Sequence, residues 1–256
     1  MPISPGYHEH SPATSLGGET FWSFAASNAG QTVILPDGRC DIIFKGIARG
    51  EEITEITPIV TGPATRAYTV QYQPCDVWVG LRLQPWMARS LWQSQIDIAQ
   101  DHVSRGSGAQ RLVPQLDRLP ETSDAKSLRA ILAGIENGLE HAGRGDLLDN
   151  ALSLIRATAG QIAIHALADQ LGMSERQLNR RFTGQVGLAP KLYASLIRFH
   201  RALRLIRDLG LGACEAAHDA GYADQAHLIR SFRRFGGFSP AKIPTQISLP
   251  GFSKLQ

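Results

Sequence analysis

The sequence has few cysteines and no long apolar run, and both absences exclude classes of protein. Only three cysteines occur, Cys40, Cys75 and Cys214, too few and too far apart for a disulfide framework or a zinc site. We expect them to be small core residues. No apolar stretch approaches the roughly 18 residues of a transmembrane helix, and no basic-plus-apolar signal opens the chain. These absences predict a cytoplasmic globular protein without a membrane partner.

Patterns typical of enzymes and metal sites are also absent. There is no Gly-rich phosphate loop, nucleophile–base pair or metal cluster. His8 and His10 form a His-x-His pair without a further ligand at suitable spacing, so we expect residues 1–18 to be a flexible or edge segment. Asp37 and Asp41 suggest an acid pair, but Asp37 is better explained as the turn residue of Pro-Asp-Gly. We therefore predict no catalytic residue, no metal and no cofactor.

Charge is distributed unevenly along the chain. Residues 1–150 contain 12 Lys and Arg against 17 Asp and Glu, a balance of −5, whereas residues 151–256 contain 14 against 6, a balance of +8. A basic region is the electrostatic footprint of nucleic-acid binding, because neutralising phosphates supplies much of the affinity. The two halves are therefore expected to have different partners.

Residues 164–182 have the pattern of a helix-turn-helix. Apolar residues at helical spacing are followed by Gly172, which suits the left-handed turn that ends a helix. Ser174 then provides an N-cap and Gln177 its capping-box partner, so a second helix begins almost at once. Arginine and asparagine match guanine and adenine edges in the major groove. The outward face of this second helix carries three such side chains, Arg176, Asn179 and Arg180.

A second copy of the pattern occupies residues 214–232, with Gly221 in the position of Gly172. Between the copies, Pro190 suits a first helical turn and Gly210 an exit, which predicts one helix of about 20 residues and about 30 Å. Successive major grooves on one face of B-DNA are about 34 Å apart. Two recognition helices on such a spacer would enter adjacent grooves.

Three motifs resemble the C-terminal DNA-binding domain of the AraC/XylS family of transcriptional regulators, over about residues 152–242. They are Leu-Ala-Asp-Gln-Leu-Gly-Met-Ser at 167–174, the run from Arg-Arg-Phe to Gly-Leu-Ala-Pro at 180–190, and the segment from Gly-Tyr-Ala-Asp-Gln to Gly-Gly-Phe-Ser-Pro at 221–240. The resemblance implies a domain with two reading motifs that spans or bends two adjacent grooves. It also implies an attached domain that senses a signal or dimerises.

The expected DNA contacts fall into two groups. Base contacts are assigned to Arg176, Asn179, Arg180, Gln225, Ala226, Ile229 and Arg230. Contacts with the phosphate backbone are assigned to Ser174, Arg181, Lys191, Arg233 and Arg234. The first recognition helix should dominate specificity, because Ala226 and Ile229 in the second can only touch a thymine methyl or pack on the sugar.

The sequence of the N-terminal part predicts β-strands. Runs at 20–24, 31–35, 40–45, 53–57, 59–61, 67–73 and 77–83 predict six or seven short strands in a small β-barrel or sandwich. Residues 35–44 and 79–85 also resemble an N-terminal domain of undefined role found in one branch of AraC-type regulators. The interior of the predicted barrel or sandwich is a candidate effector pocket, although its aromatic side chains could simply form the core. The candidate lining residues are Trp22, Phe24, Phe44, Tyr72, Trp78 and Arg82.

Helices are predicted at 86–92, 96–102, 108–117 and 127–141, with a leucine-rich stripe that either pairs two subunits or packs on its own domain. The predicted fold class is α+β. Residues 1–145 form a β-rich sensory or dimerisation domain with a helical bridge, and residues 146–256 form an all-α domain of two helix-turn-helix motifs joined by a long helix. Arg144-Gly145-Asp146 is the expected linker.

These features predict a sequence-specific DNA-binding transcriptional regulator, controlled by a small molecule or by dimerisation. Expected partners are double-stranded promoter DNA, a small effector, a second copy of the chain and RNA polymerase. The alternatives are a non-specific or architectural DNA-binding protein, an enzyme domain fused to a DNA-targeting module, and a methyl-accepting DNA-repair regulator. The last would need cysteine clusters, which the sequence lacks.

Overall fold

The computed structural model describes residues 4–10, 20–139 and 146–248. A β-rich N-terminal part precedes a helical C-terminal part, which confirms the predicted α+β class. The strands are β1 (Gly6–His10), β2 (Thr20–Ala25), β3 (Gly30–Ile34), β4 (Asp41–Arg49), β5 (Glu52–Thr61), β6 (Tyr68–Tyr72), β7 (Asp76–Arg82), β8 (Val103–Arg105), β9 (Thr122–Ser123) and β10 (Ile247–Ser248).

The helices in the same ranges are α1 (Ala88–Trp92), α2 (Ser107–Leu112), α3 (Ala125–Gly138), α4 (Asp146–Ala157), α5 (Ile164–Gln170), α6 (Glu175–Val186), α7 (Pro190–Arg207), α8 (Ala213–Asp219) and α9 (Gln225–Phe235). None of the described helices is both long and apolar enough to cross a bilayer. Asp146 begins α4, whereas Arg144 and Gly145 of the expected linker lie outside the described residues.

Two sheets form the N-terminal part. The larger follows the order β1-β2-β7-β4-β5-β8, with β9 also paired to β5, and the smaller follows the order β10-β3-β6. Residues of both sheets line one cavity, so the sheets face each other as in an open sandwich. The central strand β7 is buried along its whole length, because one face packs on helix α3 and the other faces the cavity side.

Several predicted elements differ in the structure. The predicted strands at 53–57 and 59–61 are one strand, β5, and β1 is the edge strand of the large sheet. The predicted helix at 96–102 is wrong. A 3-10 turn spans Gln93–Ile98, and the backbone then extends into β8, which pairs with β5. Gln93 and Asp101 both have left-handed backbone angles, which an α-helix does not tolerate.

The structure also shows how the leucine-rich stripe packs and which of the cysteines are buried. Leu128, Leu132 and Ile135 of α3 are buried in the main core, so the described stripe packs on its own chain. Cys40 is buried as expected, but Cys75 and Cys214 are exposed, so the core prediction is wrong for these two. Cys75 has a φ of +70° in the turn before β7, and it is exposed to solvent.

The helical part contains the predicted spacer. Helix α7 has 18 residues, which corresponds to about 27 Å. Its buried face includes Leu196, Phe199 and Leu203 of the predicted stripe. The division at residue 145 stays a prediction. Strand β10 comes from beyond this division, yet it pairs in parallel with β3 of the N-terminal part.

Candidate nucleic-acid interface and N-terminal cavity

The first helix-turn-helix consists of α5, a turn at Gly172 and α6, as predicted. Gly172 has a φ of +65°, the left-handed conformation that ends α5. Ser174 caps α6: its hydroxyl accepts from the Gln177 main-chain N–H at 3.3 Å, and the Gln177 side chain accepts from Ser174 N at 3.0 Å. This reciprocal capping box fixes where the recognition helix begins.

The outward face of α6 carries its cationic side chains. Arg176, Arg180 and Arg181 are exposed, whereas Leu178 and Phe182 are buried on the opposite face. Asn179 is half-buried, and its amide nitrogen donates to the main-chain oxygen of Glu175 at 2.9 Å. In this conformation one of the two Asn179 amide N–H groups is therefore bonded within its own helix.

The second helix-turn-helix repeats this geometry with different capping chemistry. Gly221 has a φ of +73° between α8 and α9, and the Asp224 carboxylate caps α9 by accepting from His227 N. The predicted contact residues Gln225, Ala226 and Arg230 are exposed, and Ile229 is half-buried. The two cations assigned to phosphate, Arg233 and Arg234, are exposed as well.

Arg233 and Arg234 lie on different sides of helix α9. Arg233 follows Ile229 by four residues, so it shares the outward face of the recognition helix. Arg234 is turned farther round and lies 5.2 Å from the centre of the Phe235 ring. The assignment of Arg233 and Arg234 to phosphate contacts stays a prediction.

Arg198, on the linking helix α7, ties the two motifs together. Its guanidinium donates to the main-chain oxygen of Gly160 at 2.8 Å and to that of Gly221 at 3.2 Å. It also lies 5.7 Å from the centre of the Tyr222 ring. Gly160 precedes the first motif and Gly221 is the turn of the second, so one side chain fixes both to the spacer. Sequence reasoning missed Arg198, because its partners are distant in the chain.

The N-terminal cavity has a volume of about 900 Å³ and lies between the two sheets. Five of the six candidate effector residues line it, namely Trp22, Phe24, Tyr72, Trp78 and Arg82. Phe44 does not. It is buried in the main core, and its neighbours Ile43 and Lys45 face the cavity instead. Side chains alternate along a strand, so a one-residue error moves a residue to the other face of the sheet.

The indole of Trp22 packs closely against Gly80 of β7. A Cβ at Gly80 would come within 2.3 Å of the indole ring, so a side chain there would push Trp22 into the cavity. The Trp22 indole N–H donates to the carboxylate of Asp41 at 2.9 Å. This hydrogen bond links the aromatic side chains that line the cavity to the carboxylate of Asp41.

The polar end of the cavity surrounds Arg82, which is 4% exposed. Its guanidinium lies 3.2 Å from the Asp37 carboxylate, 3.4 Å from that of Asp41 and 3.5 Å from that of Glu9. It also donates to the Tyr7 hydroxyl at 3.4 Å. We call these four charged residues, Glu9, Asp37, Asp41 and Arg82, the acidic cluster. Asp37 is thus both a turn residue, accepting from Arg39 N at 3.0 Å, and a member of this cluster.

Burial perturbs the ionisation of the acidic cluster. Burial raises the pKa of Asp41, opposed by the positive charge of Arg82 and reinforced by the negative charge of Asp37. For Arg82, burial lowers the pKa, but the carboxylates of Asp41 and Asp37 outweigh it and raise the pKa above its usual value. Arg82 therefore stays charged, and its three carboxylate neighbours compete for that one charge.

Several contacts join the cavity to the recognition helices. Ala67 N donates to the main-chain oxygen of Phe235, the last residue of α9, at 2.7 Å. Pro63 lies against Gly187, which ends α6. Residues 62–67, which we call the bridging segment, thus contact the C-terminal ends of both recognition helices while also contributing to the cavity wall.

Two further contacts support the same junction. The side chain of His200, buried on α7, makes a 2.6 Å hydrogen bond with the main-chain oxygen of Pro36, next to Asp37. Gln246 and Ile247 line the cavity, and β10 extends the sheet that carries β3 and β6. No group of three or more His, Cys, Asp or Glu side chains suited to a metal occurs in the described part of the chain.

Comparison with known sequences gives two family matches. Residues 167–245 match the family described as a helix-turn-helix domain, and residues 8–104 match a domain of unknown function, DUF6597. The HTH-type transcriptional activator RhaS of Escherichia coli O157:H7 is 33% identical over 85 residues, a match that covers 33% of this chain and 31% of RhaS. The chain thus matches about a third of the length of these curated relatives.

Solved structures provide two further likenesses. The DNA-binding domain of AdpA, solved with a target DNA, is 30% identical, with 38% of this chain and 88% of that chain covered and a TM-score of 0.36. ToxT of Vibrio cholerae, solved with an unsaturated fatty acid, is 11% identical, with 90% and 97% covered and a TM-score of 0.46.

The sequence matches and the structure agree on the C-terminal part of the chain. Two capped helix-turn-helix units on one linking helix occupy the residues that match the helix-turn-helix family and RhaS. The C-terminal part of the chain is therefore similar to the helix-turn-helix region of the transcriptional activator RhaS.

Proposed function

We propose that the protein binds specific DNA sequences and regulates transcription, with α6 and α9 entering adjacent major grooves. The observation that carries the proposal is the pair of recognition helices, each capped at its start, each with exposed arginines, and both fixed to the 18-residue helix α7. A spacer of about 27 Å suits reading helices about one turn of DNA apart. The excess of basic residues in this half supplies attraction to phosphate.

The assignment of base and phosphate contacts is part of this proposal. Arg176 and Arg180 lie one turn apart on the outward face of α6, where each can make a bidentate contact with a guanine. Arg181 is on the flank of the same helix and suits a phosphate. In α9, we group Arg233 with Gln225 and Arg230 as base-facing, which departs from the sequence-based assignment.

Arg180→Ala should remove discrimination at one base pair of the operator. The operator is first obtained by selecting bound DNA from a random pool with the full chain. Loss of one bidentate contact costs about 1–3 kcal/mol at the base pair concerned, or about 5- to 150-fold in affinity. Binding to a panel of single-base operator variants measures the effect.

Arg181→Ala is the matched control on the same helix. It should weaken binding to all panel members about equally and reduce the salt slope by about one. A uniform loss from Arg180→Ala would show that Arg180 contacts phosphate only. A selection that enriches no sequence would favour the architectural alternative.

We further propose that a small molecule in the cavity controls DNA binding. The support is the bridging segment, which forms part of the cavity wall and touches the ends of both recognition helices. A ligand that shifts this segment changes how α6 and α9 are held. Control by dimerisation has less support, because the described leucine stripe of α3 is buried in its own core. A contact with RNA polymerase stays a prediction.

A further inference from the structure

We infer that the cavity binds an organic cation, an ammonium group on a flat apolar body, with the ammonium at the acidic cluster and the body against the aromatic wall. The inference rests on the proposed function only in treating the cavity as the effector site. It specifies the chemical class of the ligand from the charges and faces that line the cavity.

The charge of the acidic cluster is the first step. Three carboxylates face the Arg82 guanidinium within 3.5 Å, and the nearby cation of Arg39 acts on Asp37 and Asp41, so the cluster together with Arg39 has a formal charge of −1. The side chains are 22% exposed for Glu9, 7% for Asp37, 14% for Asp41 and 4% for Arg82. Excess charge of one sign is costly at such burial, and a ligand of opposite charge relieves it.

An unsatisfied acceptor at the cluster is the second step. Asp37 Oδ2 is buried and accepts no hydrogen bond within the described ranges; it forms a 3.2 Å ion pair with Arg82 Nε, which also makes no hydrogen bond there. Asp37 lines the cavity. An ammonium has three N–H donors and no acceptor, so it can serve this oxygen and a second carboxylate together.

The arginine and lysine side chains that line the cavity do not favour a ligand with a carboxylate. Arg82 already faces three carboxylates, so a ligand carboxylate would be the fourth. Lys45 lies 3.5 Å from Asp76, and Arg39 donates to Gln84 at 3.3 Å. Two more arginines of the lining, Arg66 and Arg105, are exposed to solvent, where water screens their charge.

The aromatic wall is the third step. Phe24 lies between Tyr72 and Trp78, with ring centroids 5.0 Å and 5.5 Å away, and Trp22 continues this surface towards Asp41. Flat apolar molecules gain contact area on such a surface, and a nearby ammonium is attracted to the ring faces. A volume of about 900 Å³ accommodates a bicyclic amine.

Three indole probes that differ only at the end of the side chain test the inference on the full chain. Tryptamine carries an ammonium, tryptophol a hydroxyl and indole-3-propionate a carboxylate at neutral pH. By calorimetry, tryptamine should bind at least about tenfold more tightly than tryptophol, and indole-3-propionate should bind most weakly. DNA is absent from this measurement, so its failure is distinguishable from failure of the operator selection.

Variants locate the ammonium. Glu9→Gln and Asp41→Asn should each lower tryptamine affinity about five- to tenfold and leave tryptophol affinity unchanged. Glu55→Gln, in an exposed ion pair with Arg49, is the matched control and should change neither. Glu9 lies on an edge strand, so its variant remains informative if Asp41→Asn does not fold. The inference is overturned if either other probe matches tryptamine, if none binds, or if Glu9→Gln leaves the preference intact.

Discussion

Gly160→Ala is expected to lower the free energy of unfolding by about 2–5 kcal/mol. Gly160 has a φ of +75°, and an L-residue in this conformation costs about 1–2 kcal/mol. A Cβ there would also lie 2.1 Å from the main-chain oxygen of Ala194 in α7. That oxygen belongs to a helix and cannot move aside, so overpacking adds about 1–3 kcal/mol. Denaturant unfolding of the two proteins measures the difference.

Gly172→Ala is the matched control. Gly172 has a similar φ of +65°, but a Cβ there meets no atom within 4 Å. This variant should therefore show only the backbone cost of about 1–2 kcal/mol. Equal losses from the two substitutions would contradict close packing of the Gly160 turn against α7.

The same turn matters for the proposed reading of DNA. The main-chain oxygen of Gly160 accepts from Arg198, which also binds the oxygen of Gly221. Displacing the Gly160 turn therefore loosens the first motif from the second. Under the proposed function, the relative orientation of the two recognition helices depends on this attachment, because both are held through α7.

Local chemistry explains which parts of the fold were predictable. The capping box of Ser174 and Gln177 lies within four consecutive residues, and the turn at Gly172 needs only a glycine. These contacts form between neighbours in the sequence, so the pattern contains them. The spacer was predictable for a similar reason, since Pro190 begins α7 and an apolar stripe continues along it.

Long-range contacts explain what the sequence did not predict. The residues of the acidic cluster are far apart in the sequence: Glu9 lies on an edge strand, Asp37 in a turn and Arg82 on the central strand. Phe44 was assigned to the cavity because aromatic character does not specify a face of the sheet. The pairing of β10 with β3 joins segments more than 200 residues apart, and two residues in β10 give no periodic signal.

Acidification is expected to destabilise the folded protein through His200, a buried side chain of α7 that would have to become charged. Burial lowers the pKa of His200 to about 4; the hydrogen bond with the Pro36 oxygen and the charge of Asp37 oppose this shift, and the charge of Arg204 adds to it. The main-chain oxygen of Pro36 can only accept, so Nε2 carries the proton of the neutral ring. The unfolded chain has the ordinary pKa of about 6.5, so it binds the proton first as pH falls.

The sign and size of the effect follow from these two values. The folded pKa is depressed, so stability is fully present above about pH 6.5 and is lost as pH falls towards 4. The loss from this group is about 2 kcal/mol at pH 5 and about 3 kcal/mol at its limit. His200→Gln keeps an N–H donor but does not titrate, so it should lack this part of the pH dependence.

Denaturant unfolding of wild type and His200→Gln between pH 7 and pH 5 measures the difference directly. The variant should lose about 2 kcal/mol less than wild type over this range, because the other titrating groups are common to both proteins. His218→Gln, at an exposed position of α8, is the control and should keep the wild-type profile. Parallel profiles for wild type and His200→Gln would contradict a depressed pKa of His200 in the folded protein.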